Sequence, residues 1–162
     1  MGFIPASEDE DVVGMPTGFA ELDDMLGCGG LPVGRTTVLT GPYSSGKTAL
    51  GLNFIAEAQK QGKKTLFVDV ERTFHKGQAR LCMVDLEHLP LVRGAFGEEV
   101  LNEIEQWLLE KKGKKYVNEN ALVLLDSYSF LSPRAEMESD NERKGMMEKS
   151  RMMAQHLRKM VN

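Results

Sequence analysis

Gly41-Pro42-Tyr43-Ser44-Ser45-Gly46-Lys47-Thr48 follows the spacing G-x-x-x-x-G-K-[ST], which is that of a phosphate-binding loop. Each position has a physical reason. Glycine lets the backbone turn tightly, so that successive N–H groups converge on one anion. A helix starting where the loop ends aims the positive end of its dipole at the same point. Lys47 carries a mobile ammonium that reaches the β- and γ-phosphates, and Thr48 offers a hydroxyl to Mg²⁺. Taken alone, the same letters also describe a Gly/Ser surface turn between two ordinary elements, and the flanks separate these readings. Thr36-Thr37-Val38-Leu39-Thr40 is short, β-branched and apolar, as a buried strand is. After the loop, Leu52, Ile55 and Ala56 recur at helical spacing within 49–58. Strand, loop and helix thus come in the order that phosphate binding requires.

The 162 residues fit one domain with a real core. A content of 41% hydrophobic and 27% charged residues is ordinary for a globular protein in water. A net charge of −4 argues against general electrostatic attraction to nucleic acid, though a local basic patch remains compatible with it. Cys28 and Cys82 form neither a disulfide framework nor a metal-ligand spacing, and two reduced thiols suit a cytoplasmic protein. No apolar run is long enough to span a bilayer, and no signal-peptide pattern opens the chain. His75, His88 and His156 are scattered, without ligand spacing, and are expected to be surface or internally satisfied residues.

Residues 1–12, with Glu8-Asp9-Glu10-Asp11, are expected to be a mobile acidic tail ahead of a core over 13–162. Phe19, Leu22, Met25 and Leu26 predict a short amphipathic helix that stops at Gly27-Cys28-Gly29-Gly30. A second strand is expected over 64–70, a short helix over 73–83, a short strand over 89–92 and a helix over 98–112. Lys111 to Lys115 reads as a charged exit loop, Ala121 to Asp126 as an apolar strand, and 133–144 as polar and irregular. A terminal helix follows over 146–161. Its methionines, Met146, Met147, Met152, Met153 and Met160, are expected to pack against the sheet or a partner. Arg143, Lys144, Lys149 and Arg151 read more readily as a solvated face than as a DNA patch. Strands alternating with helices imply an α/β fold: a mainly parallel sheet with helices on both faces, the three-layer core of a P-loop NTPase.

Ligands of such sheets gather at the carboxyl ends of the strands. Asp126 ends the most apolar strand, where a carboxylate joins the Mg²⁺ shell beside Thr48; it also reads as a strand terminator or a cap shared with Ser127. Glu71, just past the second strand, is placed either to polarise a water against a γ-phosphate or to pair with Arg72, and position alone does not separate the two. Asp69 reads as structural, on a buried face with Phe67.

Together these residues resemble the RecA family of strand-exchange recombinases, over about 13–160. The resemblance rests on Thr17-Gly18, Gly29-Gly30-Leu31-Pro32-x-Gly34-Arg35, the loop Gly41 to Thr48, Asp69-x-Glu71 and Leu125-Asp126-Ser127. Its most specific part is Ser132-Pro133-Arg134-Ala135-Glu136-Met137-Glu138 with Arg151 to Met160. KaiC-like and archaeal recombinase-like ATPases share only the earlier motifs. The resemblance implies that Gly41, Pro42, Tyr43, Ser44, Ser45, Gly46, Lys47, Thr48 and Ala49 hold ATP. It implies that Thr48 and Asp126 hold Mg²⁺, and that Glu71 and Lys47 are catalytic. Residues 138–146 match a first DNA-contacting loop, where Arg143 and Lys144 meet phosphates of single-stranded DNA. ATP-dependent strand exchange by a homo-oligomer or filament would follow for the complete protein. The alternative is a KaiC-like nucleotide-binding regulatory or adaptor module without strand exchange.

The chain departs from the family in places. Tyr43 replaces a glutamate, and His75 and Gln78 stand where the family places an Asp and an adenine-stacking Tyr. Residues 1–12 do not match the family's polymerisation helix. The family continues past the last helix into a strand ending in a γ-phosphate-sensing glutamine. A sheet ending at Asn162 is expected to leave unpaired edge groups and apolar surface. The sequence is therefore expected to be a fragment, a truncated product or a chain completed by a partner, with weak or absent hydrolysis on its own.

Overall fold

Two short strands, β1 (Gly14–Met15) and β2 (Leu31–Pro32), pair antiparallel around α1 (Ala20–Leu26). The computed structural model describes residues 11–94, 96–109, 121–133 and 142–161, with 142–148, 159 and 161 described as backbone. Helix α1 stops at Gly27, whose φ of 74° lies in the left-handed region that a residue without Cβ enters freely. The buried Thr17 anchors this hairpin: its N–H and hydroxyl donate to Asp23 Oδ1 at 2.9 and 2.7 Å.

The rest of the described chain alternates helix and strand. The order is α2 (Lys47–Lys60), β3 (Lys64–Asp69), α3 (Lys76–Leu81), β4 (Leu91–Val92), α4 (Gly97–Leu108), β5 (Ala121–Asp126), a 3-10 turn at Tyr128–Phe130 and α5 (Glu142–Val161). Strands β4, β3 and β5 form a parallel three-stranded sheet in that order. Pairing of β3 with β5 runs from Lys64↔Ala121 to Asp69↔Asp126, so the two acids end the strands side by side.

The two-residue period of β3 sorts its side chains into two cores. Leu66 and Val68 join Val100, Leu101 and Ile104 of α4 and Met152 and Met153 of α5. Phe67 joins Leu52, Ile55 and Ala56 of α2 and Ala79 of α3. Strand β5 divides likewise, Val123 and Leu125 to the first core and Leu122 and Leu124 to the second. Burial of one such side chain is worth about 1.5–3 kcal/mol, which is why a sheet with helices on both faces is favoured here. The methionine expectation holds for Met152 and Met153, which are buried in the core that β3 shares with α4; the side chains of Met146 and Met147 lie outside the described residues.

Two expectations are corrected. Thr36 to Thr40 is not a strand: all five residues are exposed, and no hydrogen bond among the described residues reaches them. β-Branched sequence favours an extended chain, but a strand exists only where a neighbour pairs with it. The helix expected near 16–26 forms as Ala20–Leu26, yet buries none of its residues, with Met25 84% and Phe19 41% exposed. The remaining expected elements appear with ends moved by a few residues. The charged loop after α4, the irregular stretch over 134–141 and the acidic tail over 1–10 lie outside the described residues.

Candidate phosphate-binding site

The loop Gly41 to Gly46 is exposed and runs into α2. Gly46 takes the N-cap position at φ 90°, a left-handed conformation, and no side chain caps the helix. The first backbone bond of α2 is Leu50 N–H to Gly46 O, at 2.8 Å. The N–H groups of Lys47, Thr48 and Ala49 therefore have no intrahelical acceptor, as at every helix start. This is a concentration of donors at the positive end of a helix dipole. Ser44, at φ 59°, adds a second left-handed residue to the turn. Lys47 Nζ folds back onto its own loop and donates to Gly41 O and Pro42 O at 3.0 and 2.7 Å. Tyr43 projects into solvent at the loop's tip, 99% exposed.

The carboxylates approach from the sheet. Thr48 Oγ1 donates to Asp126 Oδ2 at 2.6 Å, joining the start of α2 to the end of β5 across 78 residues of sequence. Glu71 lies beside them: its N–H and that of Val70 donate to Asp126 O. Ser127 Oγ donates to Glu71 Oε1 at 2.5 Å. Glu71 thus pairs with Ser127 rather than Arg72, and its Oε2 makes no hydrogen bond among the described residues. Lys47, Thr48, Glu71 and Asp126 are brought to one rim of the sheet. A hydroxyl and a carboxylate in contact are the hard oxygen donors that suit Mg²⁺, which keeps waters and takes few protein ligands.

Asp69 supports this rim from below. Fully buried, its Oδ1 accepts from the N–H groups of Thr73 and Phe74, and its Oδ2 receives Arg93 Nε and Nη2, each at 2.9 Å. The turn that carries Glu71 is thereby fixed to the end of β3. The sequence reading placed Asp69 correctly as structural but missed Arg93 and the role of Ser127. Ser127 stood next to Asp126 and was legible as a neighbour; Arg93 is 24 residues from Asp69 and only β4 brings it there. His75 and Gln78 meet as a helix cap, with Gln78 N–H donating to His75 Nδ1 at 3.3 Å. The side chains of Arg143 and Lys144 lie outside the described residues.

The RecA N-terminal domain family matches residues 3–162. This chain belongs to the RecA family. It is 41% identical over 161 residues to Protein RecA of Methylococcus capsulatus, covering 99% of this chain and 44% of that protein. It is 42% identical over 150 residues to Protein RecA of Chlorobium chlorochromatii, covering 93% and 40%. Against Protein RecA of Roseiflexus castenholzii it is 40% identical over 146 residues, covering 90% and 39%. The chain thus spans about two-fifths of the length of these curated RecA relatives. The parallel sheet flanked by helices is the RecA-like architecture the sequence implied, and no described helix is long and apolar enough to cross a membrane.

Proposed function

We propose that this chain binds ATP with Mg²⁺ between the loop 41–49 and the acids at the ends of β3 and β5. The Thr48–Asp126 contact at 2.6 Å carries the reading, because it sets a hydroxyl and a carboxylate together beside a cluster of free helix N–H groups. Residues Gly41, Pro42, Tyr43, Ser44, Ser45 and Gly46 wrap the phosphates, while Lys47, Thr48 and Ala49 donate N–H groups. Lys47 exchanges its two carbonyl acceptors for β- and γ-phosphate oxygens. Thr48 and Asp126 hold Mg²⁺, which when bound neutralises phosphate charge. Glu71, held by Ser127 through one oxygen, keeps the other for a water. As that water's oxygen bonds to the γ-phosphorus, Glu71 takes its proton and the bridging P–O bond breaks to release ADP.

For the whole RecA-family protein, the same reading extends to single-stranded DNA binding, a homo-oligomeric filament, strand exchange in recombination and repair, and a cytoplasmic location. Family membership supports it. Arg143 and Lys144 are the proposed phosphate contacts, since a molecule of net charge −4 needs a local basic patch to bind DNA.

Calorimetry tests the core of this. The wild-type chain takes up ATP·Mg²⁺ and Lys47→Ala does not; equal affinity in the two overturns the proposal. Fluorescence anisotropy with oligo-dT tests the extension: affinity should fall steeply as salt rises. Nucleotide binding without any DNA affinity favours the KaiC-like module instead.

A further inference from the structure

We propose that Lys149 of α5 is a positioning residue for Glu71, acting through the turn that follows Ser127. The inference rests on the reading of Glu71 as the group that takes a proton from water. Ser127 Oγ donates to Glu71 Oε1 at 2.5 Å, and that bond decides which carboxylate oxygen stays open. A serine hydroxyl rotates to suit its surroundings, so the bond keeps its direction only if the backbone at Ser127 does. Ser127 leads straight into the 3-10 turn Tyr128–Phe130. Phe130 N–H to Ser127 O at 3.1 Å and Leu131 N–H to Tyr128 O at 3.2 Å close that turn. Hydrogen bonds of this kind have poor geometry and hold only short pieces of chain. The turn also lacks packing of its own: Tyr128 is 46% and Phe130 57% exposed, and burial resumes only at Leu131.

Lys149 supplies what the turn lacks. Its Nζ donates to Ser129 O at 2.7 Å and stands 4.9 Å from the centre of the Tyr128 ring, within cation–π range. Among the described residues, no other element makes a hydrogen bond or ring contact to Tyr128, Ser129 or Phe130. One ammonium thus grips the turn at its middle carbonyl and at its first ring. The sequence reading put Lys149 on a solvated face; it is half-buried, and only the fold brings it to a carbonyl 20 residues away. Helix α5 is a firm base for it. Met152 and Met153, the next turn along, lie in the core with Leu66 and Val68, and His156 meets Glu105 of α4 at 2.5 Å. The contacts run from Lys149 to Ser129, through the turn to Ser127, and from Ser127 to Glu71. Their worth is in direction rather than in folding energy, since one hydrogen bond adds little net stability.

The test is NMR of the glutamate carboxyl carbons in the chain without nucleotide, with Glu71→Gln assigning the Glu71 signal. Ser127→Ala marks where that signal lies without the hydroxyl. Lys149→Met keeps an aliphatic stem and removes the donors. It should move the Glu71 signal at least halfway to its Ser127→Ala position. The amides of Phe130 and Leu131 should then exchange with deuterium about tenfold faster, while those of Met152 to His156 stay unchanged. Lys149→Arg brings a cation that also lies over rings and donates to carbonyls, and should restore both readings. A Glu71 signal unmoved in Lys149→Met overturns the proposal. So does a signal that moves equally in Lys149→Arg, or faster exchange throughout α5, which would mark Lys149 as structural alone. Calorimetry with ATP·Mg²⁺ separates this from the reading it rests on: no uptake by the wild-type chain sinks that reading, while the Glu71 signal still decides the role of Lys149.

Discussion

Asp69 and Arg93 are the pair on which the site's rigidity rests. A fully buried carboxylate is tolerable only when its charge and lone pairs are met, and here a guanidinium and two backbone N–H groups meet them. Removing this half-exposed cation leaves the buried carboxylate with its two backbone donors alone, so Arg93→Ala should lower stability by about 1–3 kcal/mol, measured by urea unfolding. The exposed pair at Asp85 and His88 behaves differently. The hydrogen bond that His88 Nδ1–H donates to Asp85, with the charge of that carboxylate, raises the His88 pKa above 6.5, and the same bond lowers that of Asp85 below 3.8. A raised histidine stabilises the fold below 6.5 and loses that contribution as pH rises through its folded value. A lowered aspartate stabilises above 3.8 and loses it as pH falls through its own. The window runs from about 4 to about 6.5 and the effect there is small, because solvent screens both groups. An NMR titration should place the His88 midpoint above 6.5, and Asp85→Asn should bring it back.

Helix α2 must lie close to β5 for Thr48 to reach Asp126, and Gly51 permits that approach. A Cβ at Gly51 would stand 2.8 Å from Leu124 Cδ2 and 2.9 Å from Cδ1. Gly51→Ala gains about 1 kcal/mol in helix propensity and loses a similar amount in crowding, so it should be near neutral by urea unfolding. Gly51→Val adds branched bulk against the sheet and should cost about 2 kcal/mol. A gain of about 1 kcal/mol for alanine, with no loss for valine, would show that the helix is not pressed against Leu124. The helices were legible through the 3.6-residue period of their apolar residues, and β3 and β5 as short, nearly continuous apolar runs. The exposed faces of α1 were not, since the same period that marks a buried stripe appears in a helix with nothing packed on it.

At the scale of the whole molecule, a ligand that binds only the native state raises its stability. ATP·Mg²⁺ at a hundred times its Kd should add about 2.7 kcal/mol, which for a chain of this size lifts the Tm by roughly 5–10 °C. Lys47→Ala should abolish the shift in the same scan. His156 and Glu105, in contact at 2.5 Å, tie α5 to α4 on the face opposite α2. The loop-bearing helix α2 and helix α5 therefore lie on opposite faces of one sheet.

The amino-acid order alone carried the Gly41 to Thr48 turn into a helix, the sheet-and-helix alternation and the acids at the strand ends, because spacing and period are local properties of a chain. Folding in three dimensions settled which oxygen meets which hydrogen: Thr48 with Asp126, Ser127 with Glu71, Arg93 with Asp69. It also settled that Thr36 to Thr40 stands unpaired despite strand-like residues. Pairing is a relation between segments distant along the chain, and no window of sequence contains both partners.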